Sequence, residues 1–444
     1  MAGEHPSSDG WLGAPGGGGA GQYDLGMPER AEGRLELRSL LAAVEVAPPV
    51  AAVDVFAAEL GKRLAAQEVG FLIADSSGNA VVRLSHDGGG AGRRSQGRDA
   101  AETVALAGTP YEQVVRTQRL QVLPAGEFAR VLAPVTDRGD VIGVLEMLLP
   151  AVPDPDTVDY IAAAAHALGY VVIVNRRFTD LFEWGQRSAP FSLAAEIQRR
   201  LLPASLACEA GQFTIAGAVE PAGNVGGDTF DYSLDRDTLH VSLTDAMGHA
   251  EDAALLATLL VGSLRNSRRS GATLAEQAAG ANSAILEHGR ADQFVTGQLL
   301  RVDLTTGTGA MINAGHPGPL RVRDGRVEDI ELAADPPFGI VPGFDYRVQP
   351  VTLLPGDRVV IVTDGILERN AATADVFGLL ATTGDLHPRE VVQEITRAVL
   401  RAVGGTLRDD ATVLCLDWYG GGEQDRHADA GANHHRTSPP RPAS

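Results

Sequence analysis

Apolar residues change their spacing several times along this chain, and each change marks an element. Val50, Val53, Leu60 and Leu64 recur at intervals that line one face of a helix. GFLIAD (70–75) and AVVRLS (80–85) read as short strands around SSGN, a turn signal, and YEQVVRTQ (111–118) reads as a helix. ARVLAPVTDRGDVIGVLEMLLP (129–150) gives two apolar strands joined by the polar turn Asp137–Asp140. The proline-rich PAVPDPD (150–156) then opens a long helix, with Asp154 as N-cap and Pro155 at its first position. From there Val158, Ile161, Ala165, Leu168, Val172, Asn175, Thr179 and Phe182 fall three and four apart, a heptad seam in which one Asn can fix register. This seam predicts a parallel homodimer whose helix feeds the C-terminal half; a helix packed on its own domain is the alternative.

Further on, Leu193, Ile197 and Leu201 lie one turn apart on a helix that Pro203 ends. Leu239, Val241 and Leu243 alternate with His240, Ser242 and Thr244, a half-buried strand that delivers Asp245 at its end. VVIVTDGILE (359–368) is an apolar run of the kind buried on both faces, ending at Asp364, and NAGHPGPLRVRDGRVEDI (313–330) reads as a meander. Spacing alone supports an α+β layered architecture.

Composition adds boundaries. The 444 residues call for two or three domains, and 44% apolar residues can fill their cores. Residues 1–34 and 420–444 are Gly-rich and polar, and both read as disordered tails; His434 and His435 in the second read as polar filler. Between them we expect a sensory domain over 35–150, a helical signalling linker over 151–190 and a catalytic domain over 191–419. Two cysteines, Cys208 and Cys415, cannot build a disulfide framework, and the chain shows neither a leader pattern nor a membrane-length apolar run, so a cytoplasmic location is expected. A net charge of −20 argues against a nucleic-acid binder.

The chemistry lies in four acids, each where strand ends and glycines would expose a carboxylate: Asp228 in VGGD (225–228), Asp245 in SLTDAMGH (242–249), Asp364 in VVIVTDG (359–365) and Asp409 in RDDATVL (408–414). Carboxylates clustered this way would repel one another unless hard cations neutralise them, and oxygen-only ligation points to Mg²⁺ or Mn²⁺. Asp231 and Asp410 are the alternative ligands. His316, between Gly315 and Pro317, fits a turn-fixing role better than that of a base, and Asn313 also reads as structural.

The joint order of AEIQRRLLP (195–203), VGGDTFDY (225–232), TDAMGHA (244–250), FVTGQLLRVDL (294–304), NAGHPGPL (313–320), LLPGDRVVIVTDGILE (353–368) and RDDATVLCL (408–416) resembles the metal-dependent serine/threonine phosphatases of the protein phosphatase 2C type, in their bacterial stage II sporulation and stress-regulator branch. The resemblance covers roughly half the chain. It implies two stacked antiparallel sheets flanked by helices, two Mn²⁺ or Mg²⁺ ions on Asp228, Asp245, Asp364 and Asp409, with Asp245 bridging and the Ala246 carbonyl as a backbone ligand, and His249 as general acid. It also implies a phosphoserine or phosphothreonine substrate on a regulatory protein of the anti-sigma factor antagonist type. The family usually has Gly where this chain has Ala250. LAPVTDRGDVIGVLEM (132–147) resembles a GAF sensory domain, whose antiparallel sheet carries a small-molecule pocket; a packing or dimerisation module without a ligand remains open. Two rival functions stand beside the phosphatase: a degenerate phosphatase fold that only binds a partner, and another two-metal phosphoesterase, for which the paired His motif is missing.

Overall fold

The computed structural model describes residues 37–84, 101–187, 192–222, 226–290, 292–367, 374–405, 407, 409–422 and 425–441. The tail expected over 1–34 lies outside them. The N-terminal elements are α1 (Leu37–Glu45), α2 (Ala52–Leu64), β1 (Glu68–Ala74), β2 (Ala80–Leu84), β3 (Ala101–Ala105), α3 (Pro110–Thr117), β4 (Gln121–Ala125), β5 (Phe128–Asp137), β6 (Asp140–Leu149), α4 (Pro155–Asn175) and α5 (Leu181–Gly185). The strands form one antiparallel sheet in the order β3-β2-β1-β6-β5-β4. Arg138 and Gly139, both with positive φ, make the tight β5–β6 turn that the polar run anticipates.

Helix α4 starts as expected, with the Asp154 carboxylate accepting from the Thr157 N–H at 2.8 Å. The dimer seam is corrected. Ile161, Ala165, Leu168, Val172 and Phe182 are buried in one core with Phe56 and Leu60 of α2 and Val131, Leu145 and Met147 of the sheet. Asn175 Nδ2 donates to the Val171 carbonyl of its own helix. The apolar stripe is therefore satisfied within the domain, and helix α4 ends at Asn175 rather than running on as a linker. By length and apolarity alone α4 would also suit a membrane span, but its buried face belongs to this core.

The C-terminal elements are α6 (Leu193–Leu201), β7 (Ala207–Glu209), β8 (Phe213–Glu220), β9 (Asp228–Leu234), β10 (Thr238–Ala246), α7 (Ala250–Arg269), α8 (Leu274–His288), β11 (Val295–Asp303), β12 (Thr308–Ala314), β13 (Leu320–Arg323), β14 (Arg326–Asp329), β15 (Gln349–Thr352), β16 (Arg358–Val362), α9 (Asp364–Leu367), α10 (Val376–Thr382), α11 (Pro388–Ala402) and β17 (Ala411–Trp418). Two antiparallel sheets result, β15-β12-β11-β10-β9 and β14-β13-β16-β17-β8-β7. Their inner faces share one core, in which Phe230, Val241, Leu243 and Leu300 meet Phe213, Ile215, Ile361 and Leu414. Helices α7 and α8 cover one outer face, α10 and α11 the other. The layered α+β expectation holds.

The stretch expected as a C-terminal tail is also corrected. Residues 425–441 lie across the junction of the two halves. The Arg426 guanidinium pairs with the fully buried Glu209 at 2.6 Å, and Arg436 sits 3.7 Å over the Tyr419 ring while donating to the Ala210 and Gly211 carbonyls. Ser438 Oγ accepts from the His387 N–H, Arg116 of α3 donates to the Pro439 carbonyl, and Thr136 donates to the Ala430 carbonyl. Composition reads as disorder because the segment has few apolar residues; it is held by arginines instead. The β5–β6 turn docks beside it: Glu209 N–H donates to the Arg138 carbonyl, and Ser205 Oγ to Asp140 at 2.7 Å.

Candidate active site

Strand β9 begins at Asp228 and its register places Asp228 directly opposite Asp245 on β10, where the two carboxylates share a hydrogen bond. Strand β16 ends at Val362, with Thr363 between it and Asp364 at the start of α9, and Asp409 lies two residues before β17. Two glycines are required by close approach. A Cβ at Gly227 would come 2.5 Å from the Ala246 carbonyl oxygen, and one at Gly365 would overlap the Asp410 carbonyl.

The four acids act on one another. Burial, then Asp364 and Asp409, push Asp245 up to about 7, and burial together with Asp245 and Asp410 holds Asp228 well above the carboxylate range. Asp364 is raised by burial and Asp409; Asp409 is raised by burial and Asp410, against an opposing contribution from His249. Among the described residues no three acidic, imidazole or thiol side chains close into one cage. This donor set, oxygen-only and electrostatically strained, fits hard divalent cations.

Sequence reasoning missed the residues that hold Asp228. Thr363 and Thr412 hydroxyls donate to one of its oxygens at 2.8 and 2.6 Å, fixing a carboxylate that is only 2% exposed. Both threonines stand inside the TDG and DDAT motifs already quoted, so the signal was present and unread. Gln198 of α6 was missed as well: its amide donates at 2.8 Å both to the Asp228 carbonyl and to the Asp410 carboxylate.

The alternative ligands are engaged by other partners. Both Asp231 oxygens accept from Arg265, and one also from Arg268, so this acid is spent on an ion pair with α7. Asp410 accepts from the Ala222 N–H at 2.8 Å and from Gln198, which occupies both its oxygens. The Ala246 carbonyl faces Gly227 beside the acids, and the exposed His249 caps the start of α7 near Asp409. Ala250, where a glycine was expected, sits at φ +52°, in the left-handed region. His316 is buried, accepts from or donates to Thr296 at 2.9 Å, and donates to the Val362 carbonyl at 3.1 Å; burial lowers it to about 4. With Asn313 bonded to its backbone on both sides, it fixes the turn.

Residues 235–419 match the family model for Stage II sporulation protein E (SpoIIE). Phosphoserine phosphatase RsbU of Bacillus subtilis is 22% identical over 286 residues, 62% of this chain and 83% of that protein. Phosphoserine phosphatase RsbP of the same organism is 22% identical over 216 residues, 48% of this chain, and the match spans about half (52%) of that relative. A crystal structure of the RsbU and RsbW domains of Rv1364c from Mycobacterium tuberculosis is 26% identical, over 48% of this chain and 63% of that one, with a TM-score of 0.43. The chain is a protein serine/threonine phosphatase similar to RsbU and RsbP, and its match to the SpoIIE family model spans residues 235–419.

Proposed function

We propose that this phosphatase removes phosphate from a phosphoserine or phosphothreonine of a cytoplasmic regulatory protein of the anti-sigma factor antagonist type, under control of its GAF-like N-terminal domain. The observation that carries the reading is the convergence of Asp228, Asp245, Asp364 and Asp409, whose protonation is favoured by their own crowding. In this reading these acids and the Ala246 carbonyl hold two Mn²⁺ or Mg²⁺ ions. When bound, such ions supply Lewis acidity and compensate the charge of a phosphoryl group.

The side chains do the rest. Thr363 and Thr412 lock Asp228 in one orientation, so that it need not reorganise when a substrate arrives. In this reading the exposed His249, at the N-cap position of α7, gives a proton to the departing serine oxygen. Cys208 and Cys415 are buried free thiols whose burial raises them, Cys208 to about 11, so neither is a nucleophile. Control runs through α6, whose Gln198 touches the backbone of one acid and the carboxylate beside another. The relatives named for phosphoserine and the RsbU–RsbW structure support the partner class. Incubation with Mn²⁺ and a phosphoserine peptide, set against a cyclic dinucleotide, tests the reading: phosphate release from the dinucleotide alone, or from neither, overturns it.

A further inference from the structure

A cavity of about 400 Å³ lies between the two halves, away from the four acids. Its walls come from the β1–β2 turn and Asp140–Val141 on the sensory side, from α6, and from β8 and α11 on the catalytic side. Leu106, Val141, Leu202, Val219, Val392 and Leu400 make most of it apolar. Two charged groups stand in it with no close ion pair among the described residues. Arg199 makes one hydrogen bond there, to Gln186 Oε1 at 3.2 Å, while Glu183 and Asp140 act on it only at longer range, against the like charges of Arg176 and Arg187. Glu220 has no hydrogen-bond or ion-pair partner among the described residues, and its electrostatic neighbour is another acid, Asp75. The other charges are met: Arg389 by Glu390, Arg397 by Glu394, Asp140 by Ser205.

An apolar chamber with one under-partnered guanidinium and one unpartnered carboxylate is shaped for a molecule bearing both charges. We propose that this cavity is an effector site for a small zwitterion with an apolar body, of the amino-acid class, its acid on Arg199 and its amine on Glu220. The site sits where its occupancy can be read. Gln198, the residue next to Arg199, lines the same cavity and also bonds Asp410 and the Asp228 backbone, so an occupant that shifts α6 shifts the supports of the acids. Only this coupling rests on the phosphatase reading; binding does not.

The test uses the full chain and three probes: L-phenylalanine, 3-phenylpropionate, which lacks the amine, and phenethylamine, which lacks the acid. Calorimetry should show L-phenylalanine binding more tightly than either. Arg199→Gln should weaken L-phenylalanine and phenylpropionate by roughly ten-fold or more while sparing phenethylamine, and Glu220→Gln should do the reverse, since each removes one charge-assisted hydrogen bond. Ala218→Phe, which fills the chamber, should abolish all three, and saturating L-phenylalanine should change the rate of phosphate release. No saturable heat at millimolar probe, or binding equal in wild type and all three variants, overturns the site. Binding without any change in a measurable phosphatase rate overturns the coupling. Binding by a protein that releases no phosphate in any condition refutes the proposed function and leaves the site standing.

Discussion

Buried carboxylates behave in opposite ways in two regions of this molecule. At the junction of the halves, Glu209 meets His387 and Arg426, and Glu390 meets Arg389 and Arg116; despite burial, these partners hold both acids below the usual range. In the cleft, Asp228 and Asp245 meet other acids, and burial drives them upward. The same cost of burial is offset internally in one place and left for something outside the chain in the other. That contrast marks the cleft acids, rather than the paired ones, as the candidates for function.

The strongest way to sharpen the contrast is to neutralise one acid of each kind. Asp245→Asn and Asp364→Asn are each expected to cut Mn²⁺-dependent phosphate release by at least roughly 100-fold while the fold persists, since each removes a charge the cations need. Near-wild-type rates in both would remove the cleft from the chemistry. Glu209→Ala should leave Mn²⁺-dependent chemistry in place but lower unfolding stability by about 3 kcal/mol, because it strands Arg426 in a buried setting. Denaturant unfolding of the variant measures this, and an unchanged midpoint would deny the junction its ion-pair role.

Acidity offers a third comparison. Asp245 has a folded value near 7 against an ordinary 3.8, so its contribution to stability is present below about pH 4 and is lost as pH rises toward 7. Glu209 and Glu390, held low, contribute above the ordinary glutamate value and lose it as pH falls through their folded values. Metal-free Asp245→Asn should therefore melt higher than wild type at pH 7.5 and no higher at pH 4, with added Mn²⁺ narrowing the gap at pH 7.5 by stabilising wild type. Equal melting at both values would mean that the acids do not strain the cleft. The smallest effect belongs to the loop: Ala250→Gly should stabilise by about 0.5–1 kcal/mol, relieving the left-handed alanine against glycine's greater freedom when unfolded. Calorimetric melting resolves a shift of that size.

Much of the catalytic half was legible because its chemistry is written in local runs. Asp245 and Asp364 fall at strand ends that alternation and apolar run length mark directly. What stayed hidden needed a partner remote in sequence. Asp231 stands in the sequence as the alternative to Asp228, and only the fold shows it turned toward Arg265, 34 residues on. The seam of α4 looks like a dimer interface because the three-and-four spacing that suits a coiled coil also suits a sheet, and only the sheet's presence decides. The segment 425–441 carried no apolar pattern at all, since its anchors are single arginines whose acceptors lie more than 200 residues away.

That segment also changes how the halves are tied together. The chain passes from one half to the other between α5 and α6, and residues 425–441 contact both again, through Arg426 and Arg436 on one side and the Pro439 carbonyl, which accepts from Arg116, on the other. A contact held by two tethers forms at a far higher effective concentration than one held by a single linker. If that segment is intact, transient parting of the halves is followed by rapid re-docking in the same register; cut after Trp418, the same surfaces would rely on one short tether and dwell apart longer. Removal of residues 425–441 is therefore expected to lengthen the time that the N-terminal half spends undocked.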